Sequence, residues 1–225
     1  MNDYPLPEMP LRAVVFDLDG LMFDTEVLYQ EVGSTVLARR GYEFTDDLIN
    51  QMMGRQSAKA LQIMIDYHKL DLTVAELASE SMEVMRQLLA TRLTPMPGLL
   101  DLLDALEKAD IAKAIATSST REFLDHVLDL SNLKSRFSFT LSGDDIEHGK
   151  PAPDVYLLAS EKHGRQPQEV MVLEDSQLGC QAAVAAGTYT VAVPAGHSLT
   201  HEFSGAKFIA KSLVDNRIYR VLNLE

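Results

Sequence analysis

Five short stretches of the chain are β-rich, most of them continuously apolar: RAVVF (12–16), AKAIAT (112–117), FTLSG (139–143), VMVLE (170–174) and YTVAV (189–193). Strands covered on both faces of a parallel sheet read this way, whereas a strand with one wet face alternates apolar and polar positions. Helical patterns lie between these runs. Leu99, Leu102, Leu103 and Leu106 fall at i, i+3, i+4 and i+7 just after Pro97-Gly98, which predicts a helix with one buried stripe. The run SQLGCQAAVAAG (176–187) opens on a cap candidate, Ser176, and stops at Gly187; its Ala-rich face would let a helix lie close on a sheet. Strand alternating with helix predicts an α/β protein built on a doubly wound, mainly parallel, Rossmann-like sheet.

The pattern changes between residues 25 and 95. No strand signal occurs there, and Val74, Leu77, Ala78, Met82, Met85, Leu88 and Leu89 recur at helical spacing. The expectation is a helical cap domain over 25–95, inserted into a core made of 1–24 and 96–225. The chain would enter it near Asp24 and leave it near Pro95 to Pro97. Methionines are frequent in this segment and read as adaptable core filler.

Composition narrows the function classes. Among 225 residues, 46% are hydrophobic and 24% charged, ordinary values for a globular protein. The net charge of −13 repels a phosphate backbone and no basic stripe offsets it, so nucleic acid is not an expected partner. An anionic ligand would need its positive charge supplied locally. No apolar run is long enough to span a membrane, and the start MNDYPLPEMPLR lacks the apolar stretch of a signal peptide. A cytoplasmic protein without membrane contact is expected, with a monomer favoured and a Pro-rich, flexible first ten residues. Cys180 is the only cysteine, which rules out an internal disulfide and reads as a small buried hydrophobe.

The polar residues gather at strand ends. Asp17 and Asp19 follow the first strand, Thr117, Ser118 and Ser119 the second, Lys150 lies in the loop after the third, and Glu174 and Asp175 close the fourth. In open α/β folds this edge binds ligands. Residues i and i+2 of an extended segment point the same way, so Asp17 and Asp19 share one crevice, and Gly20 permits a sharp turn after them. Two carboxylates roughly 4 Å apart repel by about 1 kcal/mol in water and more when buried. A cation between them relieves this. With Asp175, and Glu174 beside it, they form a hard-oxygen set suited to Mg²⁺, and no His or Cys cluster suggests zinc.

The other candidates carry less when each is taken alone. Lys150 could neutralise a bound phosphate, or be a solvated loop lysine in HGKPAP. Thr117 with Ser118 could hold phosphate oxygens or cap the next helix. The stretch GDDIEHGKP is not a nucleotide-triphosphate loop, because five residues separate its glycines and Pro151 stands where Ser or Thr belongs. Arg55, beside Gly54 between two helical stretches of the insert, could reach a substrate. The six histidines are scattered and only His148 lies near the proposed site.

FDLDGLMFDTE, ATSS, GKPAPDVY and LEDSQLGCQAAVAAG resemble, in order and spacing, the four motifs of the haloacid dehalogenase superfamily. The resemblance covers nearly the whole chain after residue 11, in the branch with a helical cap after the first motif. It implies that Asp17 is the nucleophile that takes up a phosphoryl group. Asp19 would protonate the leaving oxygen and then activate water. Mg²⁺ would be held by the carboxylate of Asp17, the backbone carbonyl of Asp19 and the carboxylate of Asp175, with Glu174 near it or bound to it. Thr117, Ser118 and Lys150 would bind phosphate oxygens. The dehalogenases of the superfamily lack the second aspartate of the first motif, so Asp19 points to phosphorus chemistry.

Within that branch the chain is similar to pseudouridine-5'-phosphatases and to β-phosphoglucomutases. The mutases usually carry a histidine at the position of Tyr29, so Tyr29 favours a hydrolase. The expected activity is Mg²⁺-dependent hydrolysis of a small phosphomonoester, a nucleotide or sugar phosphate such as pseudouridine 5'-phosphate, with a β-phosphoglucomutase-like phosphomutase as the alternative. A phosphorylated receiver module is the non-enzymatic reading; such modules are much shorter, carry no cap and lack an acid two residues after their aspartate.

Overall fold

The computed structural model describes residues 4–52, 55 and 57–224. Six parallel strands, β1 (Ala13–Phe16), β2 (Ala112–Ala116), β3 (Phe139–Leu141), β4 (Val170–Glu174), β5 (Tyr189–Ala192) and β6 (Phe208–Ile209), lie in the order β3-β2-β1-β4-β5-β6. The helices are α1 (Glu26–Ala38), α2 (Asp46–Met52), α3 (Ser57–His68), α4 (Val74–Arg92), α5 (Leu99–Lys108), α6 (Arg121–Ser131), α7 (Asp154–His163), α8 (Gln177–Ala185) and α9 (Asn216–Val221). All five expected strands form. β6 is an addition: two residues long, with Phe208 buried and Ile209 exposed, it is too short for any period to register.

Every side chain of β1 is buried, as an unbroken apolar run requires in the middle of a sheet covered on both faces. Leu99, Leu102, Leu103 and Leu106 of α5 are likewise fully buried, each contributing about 1.5–3 kcal/mol of apolar burial. β1 has β2 on one side and β4 on the other. The chain therefore winds away from β1 in both directions, and the crevice between β1 and β4 at their carboxyl ends is the switch point where such sheets take ligands.

Helices α1 to α4 follow β1 without a strand among them, α1 packing on α4 and α2 on α3. α4 starts on a reciprocal cap in which Thr73 accepts from the Glu76 amide and Glu76 accepts from the Thr73 amide. The chain leaves and re-enters the sheet layer through two neighbouring segments. The Asp24 amide donates to Thr94 O at 3.0 Å and the Met96 amide to Met22 O at 2.8 Å, so both connections to these helices run side by side.

The Pro-rich start departs from the expected loose leader. Tyr4 is buried, its ring 5.2 Å from that of Phe208, and the Tyr189 hydroxyl donates to Pro5 O at 2.6 Å. An aromatic anchor outweighs the local preference of prolines for open chain. Cys180 is buried on α8 as expected. No helix among the described residues is long and apolar enough to cross a membrane.

Candidate active site

Asp17 is the first residue beyond β1 and is buried, its amide donating to Leu173 O at 3.1 Å. Its Oδ1 accepts from Lys150 Nζ at 2.5 Å. Lys150 comes from the loop before α7, is itself buried, and also donates to Glu174 Oε1 at 2.6 Å and Ala116 O at 3.2 Å. Thus the lysine, a solvated loop residue in its bland reading, is the counter-charge of two buried carboxylates. Burial disfavours its ammonium, but Asp17 and Glu174 more than offset this and hold its pKa above the ordinary lysine value.

Glu174 ends β4 and has no exposed surface. Besides Lys150, its Oε1 accepts from the Tyr156 hydroxyl at 2.7 Å, while Oε2 accepts from the Ser176 amide at 3.1 Å and the Ser176 hydroxyl at 3.0 Å. Four donors occupy its two oxygens. The Ser176 hydroxyl accepts in turn from the Gly179 amide at 3.1 Å and so caps α8 as expected. Gly179 is glycine for space: a Cβ there would fall 1.7 Å from Glu174 Oε1.

Carboxylate oxygens of Asp17, Glu174 and Asp175 lie within 4.8 Å of one another. Burial pushes the Asp17 carboxyl up, Lys150 opposes this, and Glu174 and Asp19 add to the rise, so its ionised form calls for further positive charge. Three buried carboxylates facing one ammonium form an all-oxygen donor set with surplus negative charge, and that chemistry fits Mg²⁺. Gly20 keeps this corner open. Its φ is +78°, and a Cβ would fall 2.3 Å from Asp175 Oδ2.

Asp19 faces a different set of groups. Its Oδ1 accepts from the Thr25 hydroxyl at 2.7 Å, and its Oδ2 from the Ser119 hydroxyl at 2.7 Å and the Thr117 hydroxyl at 3.3 Å. Burial raises its pKa against the pull of these three hydroxyls, so a proton resides there more readily than on an ordinary aspartate. Two carboxylates separated by one residue thus sit in unlike surroundings, one against an ammonium and one among hydroxyls.

Thr117 is buried, and its hydroxyl also accepts from the Ser119 amide at 3.0 Å; Ser118 lines the same cavity. The cap of α6 is Thr120 and not this trio. From the helices, Tyr29 brings its hydroxyl to 3.3 Å from Ser119 Oγ, so it reaches Asp19 through one intermediate hydroxyl. Tyr29 as a whole is 38% exposed, but desolvation at its hydroxyl end and the nearby Asp19 charge hold that hydroxyl well above its ordinary pKa. Arg55 also lines the cavity, its Nε donating to Gln51 O at 2.7 Å. Gly54, beside it, lies outside the described residues. His148 is exposed and pairs with Asp154 at 3.1 Å.

Sequence reasoning missed two participants. Thr25 lies in the first motif but was given no role; it stands at the cap position of α1, yet it makes no cap hydrogen bond there and is spent on Asp19. Tyr156 closes the GKPAPDVY motif but was given no role there; its burial beside Glu174 emerges only when α7 packs on the sheet.

A doubly wound sheet with an acidic pocket and a buried lysine at its switch point, covered by helices inserted after the first strand, defines a class of hydrolases acting on compact anionic substrates. The match is specific at the family level. The model of the haloacid dehalogenase-like hydrolases matches residues 14–193, and the chain belongs to that family. It is 33% identical over 178 residues to the "Phosphorylated carbohydrates phosphatase" of Thermotoga maritima, covering 79% of this chain and 82% of that protein. It is 30% identical over 211 residues to the "Probable pseudouridine-5'-phosphatase" of Drosophila melanogaster, covering 89% of each. Among solved structures, CbbY from Rhodobacter sphaeroides in complex with phosphate superposes with a TM-score of 0.82 at 24% identity, over 90% of this chain and 95% of that one. At that identity the likeness speaks for the fold.

Proposed function

We propose that the protein is a Mg²⁺-dependent phosphatase that hydrolyses a small phosphomonoester through an aspartyl phosphate on Asp17. The observation that carries this reading is the division of labour between the two aspartates: Asp17 lies against Lys150 at 2.5 Å, and Asp19 lies among three hydroxyls with a raised pKa. In this reading residues 25–95 form a cap domain that covers the site and excludes bulk water, and 1–24 with 96–225 form the core.

Phosphomonoester hydrolysis is among the slowest uncatalysed reactions, so neutralisation, in-line positioning and a covalent step are all needed. An oxygen of Asp17 attacks phosphorus as the bond to the leaving alcohol oxygen breaks. Asp19 gives that oxygen its proton. The carboxylate so formed then takes a proton from water, whose oxygen attacks the phosphorus of the acyl phosphate, returning Asp17 and releasing phosphate. Lys150 and Thr117, with Ser118, hold the phosphoryl oxygens. Asp17, Asp175 and the backbone carbonyl of Asp19 would hold Mg²⁺, with Glu174 acting from behind by fixing Lys150. Bound there, the ion supplies neutralisation of the phosphoryl charge.

The phosphatase names of the relatives support hydrolysis over transfer, as does Tyr29, which puts a hydroxyl rather than an imidazole beside Ser119. The test is phosphate release from a panel of phosphomonoesters with Mg²⁺ and with chelator, Asp17→Asn serving as blank. Release that needs Mg²⁺ and disappears in the blank is expected. No release, with glucose 6-phosphate appearing from β-glucose 1-phosphate, would overturn the phosphatase in favour of a mutase.

A further inference from the structure

The cavity that contains Asp17, Asp19 and Lys150 does not end at the sheet. It has a volume of about 280 Å³ and continues into helices α1 to α4, close to the ~300 Å³ lower end of small-molecule pockets. At the sheet its wall is charged and hydroxyl-rich. Away from the sheet the wall is Phe44, Met52, Leu61, Met64, Met82 and Met85. Methionines expected only to fill a core therefore also face open space: Met64 and Met85 are buried, whereas Met52 and Met82 keep partial exposure.

Polar groups on that side are few and in part already engaged. Among the described residues, helices α1 to α4 and their connections contribute Tyr29, Gln30, Arg55, Ser57 and Ser81 to the lining. The Tyr29 hydroxyl is taken by Ser119, and Arg55 Nε by Gln51 O. A sugar enclosed here would set several hydroxyls against thioethers and aliphatic carbon, where a hydroxyl without a partner is unfavourable. An aromatic ring or branched alkyl group meets no such penalty, and thioethers pack adaptably around aromatic rings.

The apolar wall is built into the backbone. Gly33 sits inside α1, where alanine would favour the helix, and a Cβ at that position would fall 2.5 Å from the Phe44 ring. The missing side chain lets the Phe44 ring lie directly on the helix and form one side of the cavity.

We infer that the substrate is the phosphate monoester of a small apolar alcohol, carrying about one aromatic ring or a branched alkyl group of similar size, in place of a polyol phosphate. This rests on the phosphatase reading above and narrows it.

The test compares kcat/KM for 2-phenylethyl phosphate, glucose 6-phosphate and acetyl phosphate with the Mg²⁺-loaded full chain. The first two both expel a primary alkoxide, so their ratio reports recognition of the body and not the chemistry of bond breaking. 2-Phenylethyl phosphate is expected to exceed glucose 6-phosphate by at least about tenfold, in keeping with what apolar pocket contacts deliver. Met82→Gln is expected to narrow the ratio several-fold. A ratio of one or below overturns the inference, as does a ratio that Met82→Gln leaves unchanged. Release from acetyl phosphate but from neither ester overturns it while leaving the phosphatase reading intact. Absence of release from all three overturns the inference, and if glucose 6-phosphate also forms from β-glucose 1-phosphate, the phosphatase reading falls with it.

Discussion

Replacing Glu174 by Gln preserves the shape of the side chain and changes only its charge and one of its acceptors. In the native arrangement Oε1 serves Lys150 and Tyr156, and Oε2 serves the Ser176 amide and hydroxyl. Gln offers one oxygen and one NH₂. Whichever way it is turned, the NH₂ faces two donors, and only a hydroxyl can rotate to accept. Either the Lys150 ammonium or the Ser176 amide then loses a partner in a fully buried place. An unsatisfied buried donor costs about 1–3 kcal/mol, and a hydrogen bond to a charged group contributes about 1.5–3 kcal/mol. Lys150 also loses one of its two carboxylate neighbours. The combined loss is about 3–5 kcal/mol, the range found on breaking buried ion pairs. The close packing of Gly179 against Oε1 leaves no room for water to take up the slack. At ~2–4 °C per kcal/mol for a chain of this size, Tm falls by roughly 6–20 °C. Urea denaturation followed by circular dichroism measures the loss directly. A change below about 1 kcal/mol would refute the reasoning, because Glu174 would then not be the group that fixes Lys150.

Other perturbations test separate parts of the site. Gly20→Ala places a residue at φ +78°, a strain of about 1–2 kcal/mol, and drives Asp175 aside; in a titration of activity the half-saturating Mg²⁺ concentration is expected to rise by about tenfold or more, and an unchanged titration would contradict it. Thr25→Val removes a hydrogen bond that lowers the Asp19 pKa. With Asp19 needed in its acid form, the alkaline limb of the pH–rate profile should move to higher pH, and a downward shift would count against Asp19 as the acid. His163 offers a stability test away from the site. Its burial lowers the imidazole pKa from 6.5 to about 4, and its Nε2 has no partner among the described residues. The unfolded chain takes up a proton below pH 6.5 and the folded one does not until about 4, so this stability is present above 6.5 and lost as pH falls through that window. Discounted for partial exposure, the loss is about 1–2 kcal/mol. His163→Phe, which keeps the ring on Phe139, should flatten the decline between pH 7 and pH 4, and an equally steep decline in the variant would refute the assignment.

Most of the core was legible because its physics is local. β1 is an unbroken apolar run, β2, β4 and β5 are nearly so, and most of the chemistry-bearing residues stand just beyond the carboxyl ends of β1, β2 and β4, where the topology gathers them. Lys150 was less legible: its loop context allows a solvated residue, and only the fold carries its ammonium to Asp17 and Glu174. Tyr156 and Thr25 were hidden for the same reason. Both fall within the motifs, but their partners lie across the packed layers or beyond a turn, so neither spacing nor composition assigns them a role. The methionines of α3 and α4 show the limit of periodicity, which identifies an inward face but not whether that face meets other side chains or a cavity. Tyr4 marks a different limit, since an anchor on a distant strand overrode what the local prolines suggested.

The central claim is that Asp17 carries the phosphoryl group. Enzyme mixed with Mg²⁺ and excess substrate, quenched in acid during turnover and treated with borohydride, converts an acyl phosphate on aspartate to homoserine, which peptide mass spectrometry locates. The account predicts homoserine at position 17 and none at position 19, with the signal absent when chelator replaces Mg²⁺. Steady phosphate release with position 17 unmodified, or modification at position 19 instead, would contradict it.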